Sequence, residues 1–332
     1  MELRLNIRSV LISRIALLVT LLAAAGCSGS KQTMEVASQT ITADTTWAGV
    51  VMVKGDVYVP PGVTLTIAPG TTVKFKRIDE TSDQNQFGID SPYYPQAELI
   101  IRGRLIARGT EKEKIVFTSA EIDARPADWG AINLLGNEGN ILEHAKILFA
   151  YNGLHAHGAT ARISRCEFAN NGVGISFKSE EEAPDVPWFG KRSNLEILDS
   201  TFYRNKGGIG FRNSDGVITR NDIRENKFFG IWPKEECNVA ITYNEVTGNK
   251  KGLYLYQTRG LTLNHNNIYD NKDYDIGVAE AQDYDVDAAN NWFGTTDAQK
   301  IDEVIFDKKD DADLGEIRYM PFLPEKARWE HP

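Results

Sequence analysis

Five segments decide the fold: NGVGISFK (171–178), NKGGIGFR (205–212), NKFFGIWPK (226–234), NKKGLYLYQ (249–257) and NKDYDIGVAE (271–280). Each begins on an Asn three residues after an apolar anchor, namely Phe168, Phe202, Ile223, Val246 or Ile268. Counting Phe149 with Asn152 as an earlier copy, the Asn residues are spaced 19, 34, 21, 23 and 22 apart. The long interval holds an insertion, EEEAPDVPWFGKR (180–192), and removing it restores a period of about two dozen residues. A unit that short cannot bury its apolar face alone, so neighbouring copies must stack into a solenoid.

Within each segment apolar and polar residues alternate, the pattern of a short strand with one face inside and one in water. A second apolar position recurs five residues before each anchor, at Ile163, Ile197, Ile218, Ile241 and Leu263. Asn221, Asn244, Asn266 and Asn290 recur near the start of each repeat and can pass amide hydrogen bonds from one coil to the next. Asn and Gly also suit turns because both tolerate positive φ.

These repeats resemble those of right-handed parallel β-helix proteins, the scaffold of pectate lyases, polygalacturonases and many bacterial envelope proteins. The resemblance runs from about residue 45 to 323 and is strongest in the opening coils, WAGVVMVKGDVYVPPGVTLTIAPGTTVKF (47–75). It implies an all-β right-handed parallel β-helix with a short C-terminal helical or loop cap. It does not fix the function, because this scaffold hosts enzymes, binders and spacers.

Residues 1–26 read as an export signal, with Arg4, Arg8 and Arg14 ahead of an apolar run too short to cross a bilayer comfortably. AAAGC, ending at Cys27, resembles a bacterial lipobox, which implies a lipidated Cys27, a membrane partner and, with Ser28 next, the outer membrane. The expected organisation is signal 1–26, lipidated Cys and polar tether 27–44, β-helix 45–294, and cap with tail 295–332. In the cap, Thr296 and Gln299 form a capping box for a helix with Ala298, Ile301, Val304 and Ile305 on one side, while Trp292 and Phe293 cover the core. Without its signal the chain keeps 34 basic and 45 acidic residues, a net charge of −11, which argues against nucleic acid as a partner. Cys166 and Cys237 fall in different turns several coils apart, and no CxxC occurs.

Placing Leu154, Ile175, Ile209, Ile231, Leu253 and Ile276 inside puts a second set of side chains outside in one column. It holds His155 and His157, Ser176 and Lys178, Arg212, Trp232 and Lys234, then Tyr254 and Tyr256. The insertion, with Trp188 and Phe189, leaves from this edge and is expected to wall the face. Aromatic platforms with Lys178, Arg212 and Lys234 suit an acidic or neutral polysaccharide, bound through Trp232, Tyr254, Tyr256 and Trp188. An alternative is a polysaccharide lyase, with His155, His157 or Lys178 as base and Arg212 or Lys234 stabilising the enolate. A glycoside hydrolase would need two carboxyl groups, which only Glu180 to Glu182 and Asp185 offer. A third class, a copper-handling accessory protein, would use His155 and His157 with His144 nearby, while calcium would be drawn to Glu167, Asp222 and Glu245. The lipobox reading predicts that Cys27→Ser leaves the chain unprocessed or soluble; unchanged partitioning into a detergent phase would sink it.

Overall fold

The computed structural model describes residues 33–78, 84, 96–278 and 282–329; the signal and Cys27 lie outside these residues. The expected parallel β-helix is what forms. Among the described residues a ten-stranded parallel sheet makes the first face, from Thr33–Val36 through Glu167–Ala169 and Glu245–Thr247 to Asn267–Tyr269. The second and third faces belong to one continuous sheet, because strands such as Phe229–Thr242 and Lys251–Asn264 run on round the corner between them. The helix begins earlier than expected. Thr33–Val36 pairs with Val50–Val53, so the stretch assigned to a tether already contains a strand of the first coil.

Like residues stack on like. Ile175, Ile209, Ile231, Leu253 and Ile276 are successive register partners on the second face, and Ile163, Ile197, Ile218, Ile241 and Leu263 on the third. Phe168 and Phe202 stack with ring centroids 4.9 Å apart. Each such side chain is essentially buried, worth about 1.5–3 kcal/mol apiece. A slip of one residue would turn a whole column into water.

Two ladders of side-chain amides close the corners. In one, the backbone N–H of Asn171, Asn205, Asn226 and Asn249 each donates to the Oδ1 of the next Asn at 2.9–3.1 Å, ending with Asn249 on Asn271. The Nδ2 donates to a carbonyl of the coil before, as Asn226 does to Phe202 at 3.1 Å. The other ladder runs from Cys166 through Ser200, Asn221, Asn244 and Asn266 to Asn291. The last member is therefore Asn291, not Asn290. At the other end of the first ladder the partner of Phe168 is Ile147, and Ala150 donates to Asn171 Oδ1. Phe149 with Asn152 is thus not a copy of the motif, and the true interval to Asn171 is 21 residues.

Left-handed backbone occurs at Asn and Gly in the turns as expected, and at other residue types as well. It falls on the residue before each ladder member: Asn170, Gly248 and Asn290 are at positive φ, and so are Arg165, Asp199, Arg220, Tyr243 and His265, the last five with φ between 50° and 57°. For such side chains this conformation costs about 1–2 kcal/mol each, offset by the amide hydrogen bonds of the following residue.

At the far end the helix Ala298–Glu303 is capped by Asp297, whose side chain accepts from Gln299 N, and not by Thr296. Ile301 and Ile305 are buried and Ala298 is exposed, because Ile305–Phe306 leaves the helix to pair with Ile276 and Gly277. Phe293 is buried and Trp292 half-buried, joined to Asn267 by a single bridge.

The first ladder ends on Asp275, whose Oδ1 accepts from Asn271 N at 3.1 Å and Nδ2 at 2.8 Å. Burial pushes this carboxyl up to about 7, with Asp270 adding to it and the Asn271 hydrogen bonds opposing. Its folded value lies above the unfolded one, so the fold favours the acid form and loses that stability as pH rises towards 7. Asp275→Asn should therefore stabilise the chain by on the order of 2–4 kcal/mol above pH 7 and much less near pH 4. Thermal melts across that range check it; an equal shift at both ends would remove Asp275 as the source.

Candidate functional site

The register brings the second-face column together as expected. His155, Ser176, Gly210 and Trp232 are successive partners, as are His157, Lys178, Arg212, Lys234 and Tyr256. Burial divides this column in two.

His155 is 4% exposed and His157 0%, so neither faces solvent. They form the middle of a buried polar chain. Asn133 Nδ2 donates to Glu98, His155 Nδ1 to Asn133 Oδ1 at 3.1 Å, and His157 Nδ1 to Glu180 at 2.8 Å. The two imidazoles meet Nε2 to Nε2 at 2.9 Å. Across that contact one ring nitrogen donates and the other accepts. The Glu98 side chain lies across Gly130, where a Cβ would come within 2.4 Å of it. Burial, then the neighbouring His157 and Lys178, hold His155 well below the usual imidazole range. Burial pulls Glu180 upward, but His157 and the N–H groups of Glu182 and Ala183 outweigh it and keep its carboxyl at about 2.

The insertion produces this burial. Its Glu182 lines the groove of the second face as expected, while the rest, led by Trp188, folds back over earlier coils. Trp188 is 8% exposed and clusters with Ile100 and Leu135. Its ring lies 3.7 Å from the Arg102 guanidinium carbon and rests on Gly136 and Gly158, both at positive φ, where any Cβ would crowd it. Trp188 is therefore an anchor of the loop and not a ligand contact. The expected base residues His155 and His157 are likewise sealed away, and all four of their ring nitrogens are engaged, which leaves none for a metal without breaking the chain. His144 lines a different groove, on the first face, with Lys146, Arg165 and Glu167.

On the first face Thr201 interrupts the acidic column, and its carboxylates already have cations: Lys146 with Glu167 at 2.7 Å, Arg224 with Asp222 at 2.8 Å, Lys326 with Glu245 at 2.5 Å. Among the described residues no group of three or more His, Cys, Asp or Glu is placed to hold a metal ion.

The open part of the second face is a groove of about 600 Å³ over Ser176 and Gly210, walled by Lys178, Arg212 and Lys234 and by Phe228, Phe229 and Trp232. Gly207 is required here, since a Cβ would sit 2.1 Å from the Phe229 ring. Trp232 is half-buried rather than fully exposed because Phe228 and Phe229 close on it at 5.7 and 5.1 Å. The aromatic strip continues through Tyr254, 5.2 Å from Trp232, then Tyr274 and Phe306. Phe228, Tyr274 and Phe306 were missed in the sequence, as was Lys251, whose Nζ lies 3.9 Å above Tyr254. The DYDIG spacing could have flagged Tyr274, whose ring covers Gly277.

The three cations differ. Lys178 pairs with Glu182 of the insertion. Arg212 pairs with Glu235 at 2.8 Å and Glu181 at 3.6 Å. Lys234 lies 3.6 Å over the Trp232 ring, and among the described residues it makes no ion pair. Burial, then repulsion from Arg212 and Lys178, lower its pKa.

The buried His155 makes a pH prediction. Its folded pKa is depressed, so the stability it contributes is present above about 6.5, the unfolded value, and is lost as pH falls below it. The native chain should lose melting temperature between pH 7 and pH 5 more steeply than His155→Gln. Parallel curves would mean the imidazole is not the group that titrates.

No curated protein matches this chain. Among solved structures it is similar to the periplasmic alginate epimerase AlgG, with a TM-score of 0.48 and 12% identity over 88% of this chain and 77% of that one. It is also similar to the Azotobacter vinelandii mannuronan C-5 epimerase AlgE6 A-module, with a TM-score of 0.42 and 12% identity over 85% of this chain and 87% of that one. Likenesses of this degree leave activity to be argued from the groove itself. Residues 130–293 match the family described as right handed beta helix region, and the chain is a right-handed parallel β-helix repeat protein.

Proposed function

We propose that the chain is an envelope lipoprotein whose second face binds an acidic polysaccharide. The observation that carries this reading is Lys234: a half-buried ammonium over an aromatic face, repelled by two neighbouring cations with Glu235 opposing them, and among the described residues without an ion pair. A ligand carboxylate would relieve that repulsion. The rest of the groove supports a polymer over a small anion. Trp232, Tyr254, Tyr274 and Phe306 extend over successive coils about 4.8 Å apart, and ring faces suit the C–H surfaces of sugars. Tyr256, in register beside Lys234, borders the same strip. Lipidation of Cys27 would hold the protein at the outer membrane, with Ser28 to Gln32 before the first strand among the described residues.

Lys234→Gln should weaken binding of an acidic oligosaccharide and leave a neutral one unchanged. Trp232→Ala should weaken both by roughly 1–3 kcal/mol, by analogy with base–aromatic stacking, and lower the melting temperature as well, since the ring is half-buried. Lys234 has a lowered pKa, so acidic-ligand affinity should be lost as pH rises through it, earlier than for an ordinary lysine. Calorimetry at several pH values reads all three. Equal affinity for acidic and neutral oligosaccharides, or no loss in Lys234→Gln, would defeat the reading.

A further inference from the structure

Resting on the groove as an acidic-glycan site, we propose that Glu181 and Glu182 are its specificity-determining residues. Glu182 holds the carboxylate position on Lys178 and Glu181 shares Arg212 with Glu235, so that only a ligand with closely spaced carboxylates displaces them. Three consecutive glutamates have different surroundings. Glu180 is buried, its Oε2 on His157 and its Oε1 accepting from the N–H of Glu182 at 2.9 Å and Ala183 at 3.0 Å. Its backbone closes the neck of the insertion, accepting from Gly190 N at 2.6 Å and donating to Lys191 O at 3.1 Å. Trp188 pins the other end against Arg102.

With both ends fixed, the chain direction between them is fixed too, and the next two carboxylates are delivered to the groove wall. Glu181 Oε1 accepts from Asn213 Nδ2 at 3.0 Å while Oε2 lies 3.6 Å from Arg212, and Glu182 pairs with Lys178. Lys178 and Glu182 both line the groove beside Lys234.

Exposure separates anchor from competitor. The Glu180 side chain is 1% exposed and Glu181 and Glu182 are each 42% exposed. Removing a partner from a buried pair is strongly destabilising, whereas half-exposed pairs are weak and exchange readily with another carboxylate. The insertion thus supplies an internal anion that raises the charge density a ligand needs. A neutral chain would find Lys178 and Arg212 already satisfied, and a single carboxylate would meet only Lys234.

The test is calorimetric titration of the full chain and of the Glu181→Gln, Glu182→Gln double variant with a galacturonate hexamer and with cellohexaose. The double variant should bind the acidic hexamer roughly tenfold more tightly, as two exposed pairs no longer compete, with cellohexaose unchanged. If both chains bind the acidic hexamer equally, the competition is overturned and the glycan reading stands. If neither chain binds either sugar, the glycan reading falls, and the competition is judged by iodide quenching of the Trp232 emission, taken as the difference from Trp232→Phe. At least a twofold rise in the quenching constant of the double variant supports the competition, and an unchanged constant overturns it.

Discussion

Everything in this molecule depends on one hydrogen-bonding device, the carboxamide that closes a corner of one coil by serving the backbone of its neighbours. A parallel solenoid turns the chain sharply at every corner, and each turn leaves N–H and carbonyl groups without a strand partner. An Asn from the next coil accepts the N–H and donates to a carbonyl one coil back. Because its length is fixed, the amide also sets the axial spacing and register of the coils. The cost is a left-handed residue immediately before it, small where that residue is Asn170, Gly248 or Asn290 and larger at Arg204, Arg220 and Tyr243. Where the device ends, at Asp275, a carboxylate replaces the amide, and its burial raises its pKa against the Asn271 hydrogen bonds.

Register then arranges the outer columns. Once Leu154, Ile175, Ile209 and Ile231 are stacked inside, their neighbours can only form files along the axis. The file containing His155, His157, Lys178, Arg212 and Lys234 follows from backbone geometry alone. What the file can do follows from the insertion between Lys178 and Ser193. It buries the histidines in a polar chain that includes Glu98, Asn133 and Glu180, supplies carboxylates to two cations, and leaves the third facing a groove.

Such a buried chain is demanding. Each member is satisfied only if its neighbours hold their proton and orientation, and low local dielectric makes any unpaired member costly. This gives the insertion a defined seat. The same seat explains the small residues beneath it: Gly130 under Glu98, and Gly136 and Gly158 under Trp188.

The amino-acid sequence determined the fold, the coil register, and which residues share each column, because a period-two pattern repeated every two dozen residues leaves no other phase that buries the apolar set. It also marked the ladder Asn residues from Asn171 to Asn271, though not the ends, where Ala150, Asn291 and Asp275 break the motif. Only the tertiary structure decided exposure. The sequence places His155, His157 and Trp188 at the surface, yet they are buried; it leaves Trp232 bare, yet Phe228 and Phe229 flank it. The reason is physical: alternation reports the side of a strand on which a side chain leaves, whereas burial there depends on what lies above it. Here that was set by contacts between Trp188 and Arg102, Gly136 and Gly158, which are distant in the chain and carry no periodic signal.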